Sequence, residues 1–304
     1  MKPVLIAVVV LALGACAGTR FDVPALSEPG QGATLPGKVV WHDLLTDTPE
    51  QTMSFYGKLF DWSFEPLDVI GANYTLIRHQ GRLIGGMVDQ NRLPNDADIS
   101  QWVVVLSVSD AELASEAVAG AGGTVFTPPT SLGGRGIISV VADPDGAAFA
   151  ILQTDGEDPA DTNREPLVGG FLWDELWSAD APAAVNFYQR LAAFDVEEFA
   201  GGAEQSPVTY RVLSSQDVPR LGIRQRPVDD IRPAWASYLR ARDEAHIRDI
   251  VGRTETLGGR VLMPVTQRPA GGFVAVISGP SGAAIALQTW PLSGEPAVSM
   301  GGGQ

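Results

Sequence analysis

The chain repeats itself, and this internal repeat constrains its fold more than any other feature. The tetrapeptide Trp-His-Asp-Leu at 41–44 returns as Trp-Asp-Glu-Leu at 173–176, which is 132 residues later. Gly-Ala-Ala-Phe-Ala at 146–150 returns as Gly-Ala-Ala-Ile-Ala at 282–286, and loop insertions explain the drift of four residues between the two offsets. The 304 residues therefore contain two homologous halves. We place them at 38–155 and 168–292, joined by a linker at 156–167.

Each half is predicted to contain two smaller units of the same order. Short apolar runs bounded by turn residues indicate strands, while Pro49 and Asp110 stand where helices begin. The first unit has strands at 39–45, 62–64, 74–78 and 83–88, with a helix after the first strand. The second has strands at 102–108, 124–127, 136–142 and 147–153, with a helix at 111–121. The order βαβββ is therefore expected four times, which is an α+β fold.

This pattern resembles a known family. The strand, the Phe-Tyr helix and the turn Asp-Pro-Asp-Gly-Ala at 143–147 look like the glyoxalase/bleomycin resistance/extradiol dioxygenase family, the vicinal oxygen chelate (VOC) proteins. The Trp-x-acid-Leu motif is similar to that of its tandem-domain branch, whose members are often called glyoxalase-like or hydroxylase. The resemblance implies two VOC-like domains, each a pair of βαβββ units forming a half-open barrel with the ligand on its concave face.

Active members of that family hold a divalent metal ion with His, Gln or Glu from the first and last strands of the units. The mapped positions here hold no side chain able to ligate a metal ion: Trp41, Val103, Ala150, Trp173, Ala236 and Ala286. The closing strands of units one and three, near 83–88 and 221–225, leave their ligand positions unplaced. We therefore expect no metal and no other cofactor.

Two acidic residues are candidates for chemistry. Strand alternation places Trp41 and Asp43 on one face of the first strand, and Trp173 and Glu175 repeat this in the second half. A carboxylate on an apolar concave wall has its pKa raised by desolvation and can act as a general base. The alternative is that both acids only accept hydrogen bonds that order the barrel mouth.

Candidate ligand-binding residues are the tryptophans near strand starts and an arginine in a Gly-rich loop: Trp41, Trp102, Trp173, Trp177, Trp235 and Arg135. Aromatic walls suit flat apolar ligands, and Arg135 could hold an anionic group. Alternatively, the indole rings fill the space that a metal site would occupy, and turn formation explains the glycines. His42, on the strand face opposite Trp41, is expected to be packed rather than to be a ligand.

The N-terminus predicts export. Lys2, the apolar run 4–13 and the small residues before Cys16 are typical of a signal peptide at 1–15, and the run Leu-Gly-Ala-Cys at 13–16 resembles a bacterial lipobox. Cys16, the single cysteine, would then carry the lipid, followed by a flexible tether over 16–37; residues 293–304 are predicted as a flexible tail. Ala17 after the cysteine resembles the sorting signal for an outer membrane, facing the periplasm, in a cell that has one.

Charge narrows the range of partners. The chain has 36 acidic and 21 basic residues, a net charge of −15, which opposes binding to nucleic acid. We expect a small-molecule ligand, a membrane anchor at Cys16, and pairing of the two domains within the chain or in a homodimer. The favoured hypothesis is a metal-free, glyoxalase/bleomycin-resistance-like envelope lipoprotein that binds a small, partly aromatic molecule in its clefts.

Two alternatives stay open beside this hypothesis. One is a glyoxalase-like lyase, hydroxylase or isomerase that uses a cleft carboxylate or a shifted metal site. The other is a structural envelope protein with filled clefts.

Overall fold

The computed structural model describes residues 23–26, 33–67, 74–93, 97–161, 165–200, 209–268 and 271–290. The predicted signal peptide, Cys16 and the predicted tail at 293–304 lie outside these residues. Within them, no helix has the length and apolar composition needed to span a bilayer.

The first half contains two βαβββ units in sequence. The first comprises β1 (Val39–Thr46), α1 (Pro49–Phe60), β2 (Trp62–Leu67), β3 (Tyr74–His79) and β4 (Arg82–Asp89). The second comprises β5 (Gln101–Ser107), α2 (Ala111–Gly120), β6 (Thr124–Ser131), β7 (Gly136–Ala142) and β8 (Ala148–Thr154).

The second half repeats this order. Its elements are β9 (Phe171–Ser178), α3 (Ala181–Tyr188), β10 (Asp195–Ala200), β11 (Thr209–Ser215) and β12 (Val218–Gln225), then β13 (Ala234–Ala241), α4 (Glu244–Thr254), β14 (Arg260–Gln267), β15 (Phe273–Ser278) and β16 (Ala284–Thr289). The predicted α+β class and the four βαβββ units are confirmed.

Each half forms one eight-stranded sheet with the same strand order. In the first half this order is β2-β3-β4-β1-β5-β8-β7-β6, and in the second it is β10-β11-β12-β9-β13-β16-β15-β14. The first strands of the two units pair antiparallel at the centre, β1 with β5 and β9 with β13. Each of them also pairs in parallel with the last strand of its own unit. The first strands therefore lie at the middle of each sheet, where their side chains reach the centre of both faces.

Local sequence signals start the helices. The carboxylates of Asp110, Asp180 and Asp243 each accept a hydrogen bond from the backbone N–H three residues later, which caps α2, α3 and α4. Helix α1 instead begins with Pro49 in its first turn, where the missing N–H costs no hydrogen bond.

The helix-bearing faces of the two sheets share their hydrophobic cores. One core combines residues of β5, α2, β7 and β8 with residues of β9, α3, β11 and β12, and the other combines the first unit with the fourth. Phe55 of α1, for example, lies so close to Gly259 that a Cβ there would be 2.6 Å from its ring. Because the helix sides are packed together, the concave faces of the two domains point away from each other.

Repeat-equivalent residues meet between the domains. His42 of β1 is buried with its Nε2 atom 2.9 Å from Oδ1 of Asp174 on β9, which lies 132 residues later. The His42 ring stacks on Phe171 at 3.6 Å between centroids, and Ser237 donates to the same Asp174 oxygen. The placement of His42 on the face opposite Trp41 thus makes it part of the domain contact.

Part of the predicted tether is ordered rather than flexible. Leu35 is buried, and its N–H donates to Oδ2 of Asp158, a fully buried carboxylate in the predicted linker. Ser107 Oγ donates to the same oxygen. These hydrogen bonds fix residues 33–37 and the start of the linker to the first domain, because a buried carboxylate is costly unless its oxygens are paired.

Candidate functional site

On the concave face of the first domain, the Trp-x-acid motif of β1 forms a small hydrogen-bonded cluster with a tyrosine of β3. Nε1 of Trp41 lies 2.8 Å from Oη of Tyr74 and 3.0 Å from Oδ1 of Asp43, and the Tyr74 hydroxyl donates to that carboxylate at 2.5 Å. Burial raises the pKa of Asp43 above its ordinary value, while the hydrogen bond from Tyr74, the charge of Arg135 and the hydrogen bond from Trp41 oppose this rise.

A glycine on β4 makes room for this cluster. Gly86 pairs with Asp43, and a Cβ at Gly86 would lie 1.9 Å from the Tyr74 hydroxyl and 2.5 Å from the Asp43 carboxylate. Any larger residue would collide with both groups. The absence of a side chain at Gly86 is therefore what allows Tyr74 to reach Asp43.

Arg135 closes the first cleft from the opposite side. Its guanidinium lies 4.2 Å from the centroid of the Trp41 ring and donates to Tyr74, and the residue is only 3% exposed. Its Nε also donates to the carbonyl of Pro24, which belongs to the N-terminal segment 23–26. Arg135 thus holds part of its own chain rather than standing free in the cleft.

The segment 23–26 covers the first cleft. Val23 N–H donates to Leu132 O, and Leu26 packs on a concave-face cluster that includes Leu45, Leu76 and Val103. This apolar cluster extends across β1, β3, β5 and β8. The first cleft is therefore filled by the chain's own side chains and is capped by its N-terminal segment.

The second domain repeats the cluster. Trp173 Nε1 donates to the Tyr210 hydroxyl at 2.7 Å, and a Cβ at Gly222 would lie 2.0 Å from that hydroxyl. Gly222 pairs with Glu175, as Gly86 pairs with Asp43. The same four roles, namely tryptophan, acid, tyrosine and glycine, are thus filled in both clefts.

The carboxylate of the second cleft accepts hydrogen bonds from different partners. Glu175 is 1% exposed, and its Oε1 accepts hydrogen bonds from Trp177 Nε1 at 2.5 Å and from the Tyr238 hydroxyl at 3.2 Å. Burial and the nearby Glu175 charge raise the pKa of both Tyr210 and Tyr238, so these phenols stay protonated as donors at neutral pH.

The second cleft is less filled than the first. Trp41 is 5% exposed, whereas its counterpart Trp173 and the neighbouring Trp177 are partly exposed. The tyrosines Tyr74 and Tyr210 are partly exposed in both clefts. Within the ranges that the structure describes, no cluster of buried hydrophobic residues covers this concave face as one does in the first domain. The rings of Trp173, Trp177 and Tyr210 are consequently accessible to a ligand, while Glu175 and Tyr238 lie buried beneath them.

Two of the predicted ligand-binding tryptophans lie elsewhere. Trp102 and Trp235 are buried on the helix-bearing faces, where Trp102 donates to the Tyr56 hydroxyl and Trp235 packs edge-on against Tyr188. The expectation that they line the clefts is wrong, because strand alternation directs them to the face opposite Val103 and Ala236. The other predicted site residues, namely Trp41, Asp43, Arg135, Trp173, Glu175 and Trp177, lie in the clefts.

This chain is similar to known proteins both in sequence and in fold. The family model described as Glyoxalase/Bleomycin resistance protein/Dioxygenase superfamily matches residues 38–151. The chain is 26% identical over 245 residues to the putative glyoxylase CFP32 of Mycobacterium tuberculosis, an alignment that covers 80% of this chain and 91% of that protein. Residues 38–151 of the chain therefore belong to the glyoxalase/bleomycin resistance protein/dioxygenase superfamily.

Other proteins are similar to this chain in sequence or in fold. The anthracycline biosynthesis protein DnrV of Streptomyces peucetius is 29% identical, with 78% of this chain and 87% of that protein covered. The Mn(II)-bound glyoxalase of Novosphingobium aromaticivorans superposes with a TM-score of 0.57 at 15% identity, covering 84% of this chain and 82% of that one. A catechol 2,3-dioxygenase gives 0.53 at 13%, covering 84% and 93%. At these identities the structural matches establish the fold alone.

The side chains present do not fit the divalent metal ion of the superfamily. At Trp41 and Trp173 the indole N–H groups donate to tyrosine hydroxyls, and an N–H donor offers no lone pair to a cation. Val103, Ala150, Ala236 and Ala286 carry no donor atom. Across the residues that the structure describes, no group of three or more His, Cys, Asp or Glu side chains is close enough to hold a metal.

Sequence reasoning missed several residues that the superfamily fold brings into the clefts. Tyr74 and Gly86 recur as Tyr210 and Gly222 with the same 136-residue offset as the Gly-Ala-Ala repeat, so a full alignment of the two halves could have identified them. Gly86 and Gly222 also lie in the two closing strands whose ligand positions had no assignment. No comparable signal marked Tyr238, because the first half holds Val105 at the corresponding place, judged from the strand pairing.

Proposed function

We propose that this chain binds a small, partly aromatic molecule in the concave cleft of its second domain, and that it does so without a metal ion at the six mapped positions. The observation that carries the proposal is the replacement of metal ligands by an aromatic and hydrogen-bonding cluster that stays partly exposed in this cleft. Trp173, Tyr210 and Trp177 offer ring faces, while the acid and phenols supply polar groups that orient a ligand.

The first domain has a supporting role in this proposal. Its cleft is filled by Trp41, Arg135 and Leu26, so we assign ligand binding to the second domain and stabilisation to the first. The relatives named for anthracycline biosynthesis agree with an aromatic ligand for this chain.

Intrinsic fluorescence tests the proposal, since Trp173 and Trp177 lie in the cleft. Titration of the extensively dialysed protein with aromatic compounds should quench its emission saturably, and Trp173→Ala should abolish the saturable part. Metal analysis of the same sample should find less than stoichiometric Fe, Ni, Zn and Mn. One tightly bound metal ion per domain, or binding that Trp173→Ala leaves intact, would contradict it.

A second candidate function is favoured by the burial of Glu175. A carboxylate at the floor of an aromatic cleft can serve as a general base for an isomerase, hydroxylase or lyase, provided that a substrate proton comes within hydrogen-bond reach. Glu175→Gln separates the two functions, because it should remove turnover and keep affinity in an enzyme. Asp43→Asn in the filled cleft is the matched control, and it should affect neither property.

We further propose that the chain is an exported lipoprotein anchored to the cell envelope through Cys16. The proposal depends on the lipobox-like run 13–16 and on the single cysteine. Mass spectrometry of the mature N-terminus should find a diacylglyceryl group on Cys16. A mature chain that begins elsewhere without lipid would contradict it.

A further inference from the structure

The second cleft holds two arginines, Arg224 and Arg268, that form no hydrogen bond with Glu175 among the described residues. We propose that Arg224 and Arg268 bind a carboxylate of the ligand, so that the ligand is an aromatic acid rather than a neutral aromatic compound. This inference rests on the proposed function, and it specifies the chemical class of the molecule that the second cleft takes.

Arg224 lies on the cleft side of β12. It pairs with Trp177 on one side and Tyr210 on the other, two residues along the strand from Gly222. Its Nη1 is 4.0 Å from Glu175 Oε1, too far for a hydrogen bond, and its side chain is 31% exposed. Within the described part of the chain its buried Nε atom has no hydrogen-bond partner. Because a buried unpaired donor is costly, a ligand acceptor that reaches this N–H would be favoured.

Arg268 approaches the same place from β14. It follows the last residue of that strand and donates to the side-chain oxygen of Gln288 on β16. Gln288 lies two residues beyond Ala286, on the same face of its strand. The charges of Arg268 and Arg224 both act on Tyr238, where they oppose the rise in its pKa. Arg268 therefore lies beside Gln288, on the sheet face that carries Tyr238 and Ala286.

The charge balance of the cleft favours an anion. Arg224 lies 4.0 Å from the buried carboxylate of Glu175, and Arg268 donates to the neutral side chain of Gln288 rather than to a carboxylate of the described residues, in a chain whose net charge is −15. A carboxylate is the ligand group that a planar guanidinium pairs with best, through two parallel N–H donors. In the first cleft Arg135 donates to Tyr74 and Pro24 and stacks on Trp41, so two of its three nitrogens are occupied, and only its buried Nη2 lacks a partner among the described residues.

A matched pair of probes tests this inference on the whole chain. Naphthalene-2-carboxylate and naphthalene-2-carboxamide have the same ring system and differ in charge. Calorimetric or fluorescence titration should show the acid binding at least about tenfold more tightly, since a charge-assisted hydrogen bond contributes about 1.5–3 kcal/mol. Raising the salt concentration should weaken binding of the acid and leave the amide nearly unchanged.

Arginine variants test which side chains supply the positive charge that binds the carboxylate. Arg224→Gln and Arg268→Gln should each reduce affinity for the acid about tenfold and leave affinity for the amide within about twofold. The control is Arg211→Gln, since Arg211 lies next to Tyr210 on β11 but forms an ion pair with Glu198 instead of facing the cleft. It should change neither affinity.

The outcomes distinguish the two proposals. Equal affinity for the acid and the amide, insensitive to salt, would overturn the carboxylate site and leave aromatic binding in place. Binding of neither probe would overturn both. The comparison of salt dependence uses the unmodified protein, so it gives a result even if an arginine variant fails to fold.

Discussion

The two clefts have the same cluster and differ in what surrounds it. Trp41, Asp43 and Tyr74 correspond to Trp173, Glu175 and Tyr210, with a glycine beneath each tyrosine. In the first cleft, segment 23–26, Arg135 and an apolar cluster pack over these groups. In the second, the indole rings of Trp173 and Trp177 stay partly exposed and Arg224 Nη1 lies 4.0 Å from Oε1 of the acid.

This difference shows that the Trp-x-acid motif alone does not make a ligand site. The motif orders the centre of either sheet by joining β1 to β3 or β9 to β11. Neighbouring residues then decide whether the space above it is filled or accessible. We therefore expect the first cleft to behave as part of the hydrophobic core and the second to behave as a binding surface.

The largest expected difference is in the stability lost when Trp41 or Trp173 is truncated. Trp41→Ala should lower the free energy of unfolding by about 3–5 kcal/mol, the usual cost of truncating a buried aromatic residue. Trp173→Ala should lower it by much less, since its ring is partly exposed. Chemical denaturation of both variants checks this, and Trp41→Phe serves as a milder control. Equal losses would show that the two clefts are packed alike.

Substitution of the two glycines should also reduce stability more in the first cleft than in the second. Gly86→Ala places a methyl group against Tyr74 and Asp43, which Arg135 and Trp41 hold in position, and should destabilise by about 1–3 kcal/mol. At Gly222→Ala, Tyr210 can turn towards the open cleft, so the loss of stability should be smaller and ligand affinity should fall instead. Thermal unfolding and titration with naphthalene-2-carboxylate measure both. A larger loss of stability at Gly222 would reverse the comparison.

The segment that covers the first cleft should contribute less. Leu26→Ser removes a partly buried side chain from the apolar cluster and should cost about 1 kcal/mol, while increasing the quenching of tryptophan emission by acrylamide. Leu113→Ser is the matched control, since Leu113 is 63% exposed on α2. If both variants behave alike, segment 23–26 does not seal the cleft.

The smallest effect concerns pH. Because burial raises the pKa of Asp43 in the folded state, its ionised form lowers stability above that pKa, and the cost disappears as pH falls towards the unfolded value. Asp43→Asn should therefore be more stable than the wild type at neutral pH, with the difference shrinking on acidification. Denaturant melts at several pH values measure it. A difference that grows on acidification would mean that hydrogen bonding outweighs burial.

Local sequence patterns were sufficient to predict much of the fold and part of the candidate site. The repeat, the helix-start residues Pro49 and Asp110 and the alternation within β1 predicted four βαβββ units and the cleft placement of Asp43 and Glu175. The same alternation rule also applies to Trp102 and Trp235, whose assignment to the clefts ignored it. Tyr238 and the two arginines were missed because their positions depend on strand register, which joins residues far apart in the chain.

The sequence by itself determined the duplicated fold and the absence of donor side chains at the mapped metal positions, since both follow from residue types at fixed spacings. Only the tertiary structure decided which cleft is filled. Two copies of one motif are locally almost identical, so the difference arises from contacts between distant segments, such as Pro24 with Arg135 and Glu175 with Tyr238. Such contacts depend on how the sheets pack and pair, and no local pattern encodes them.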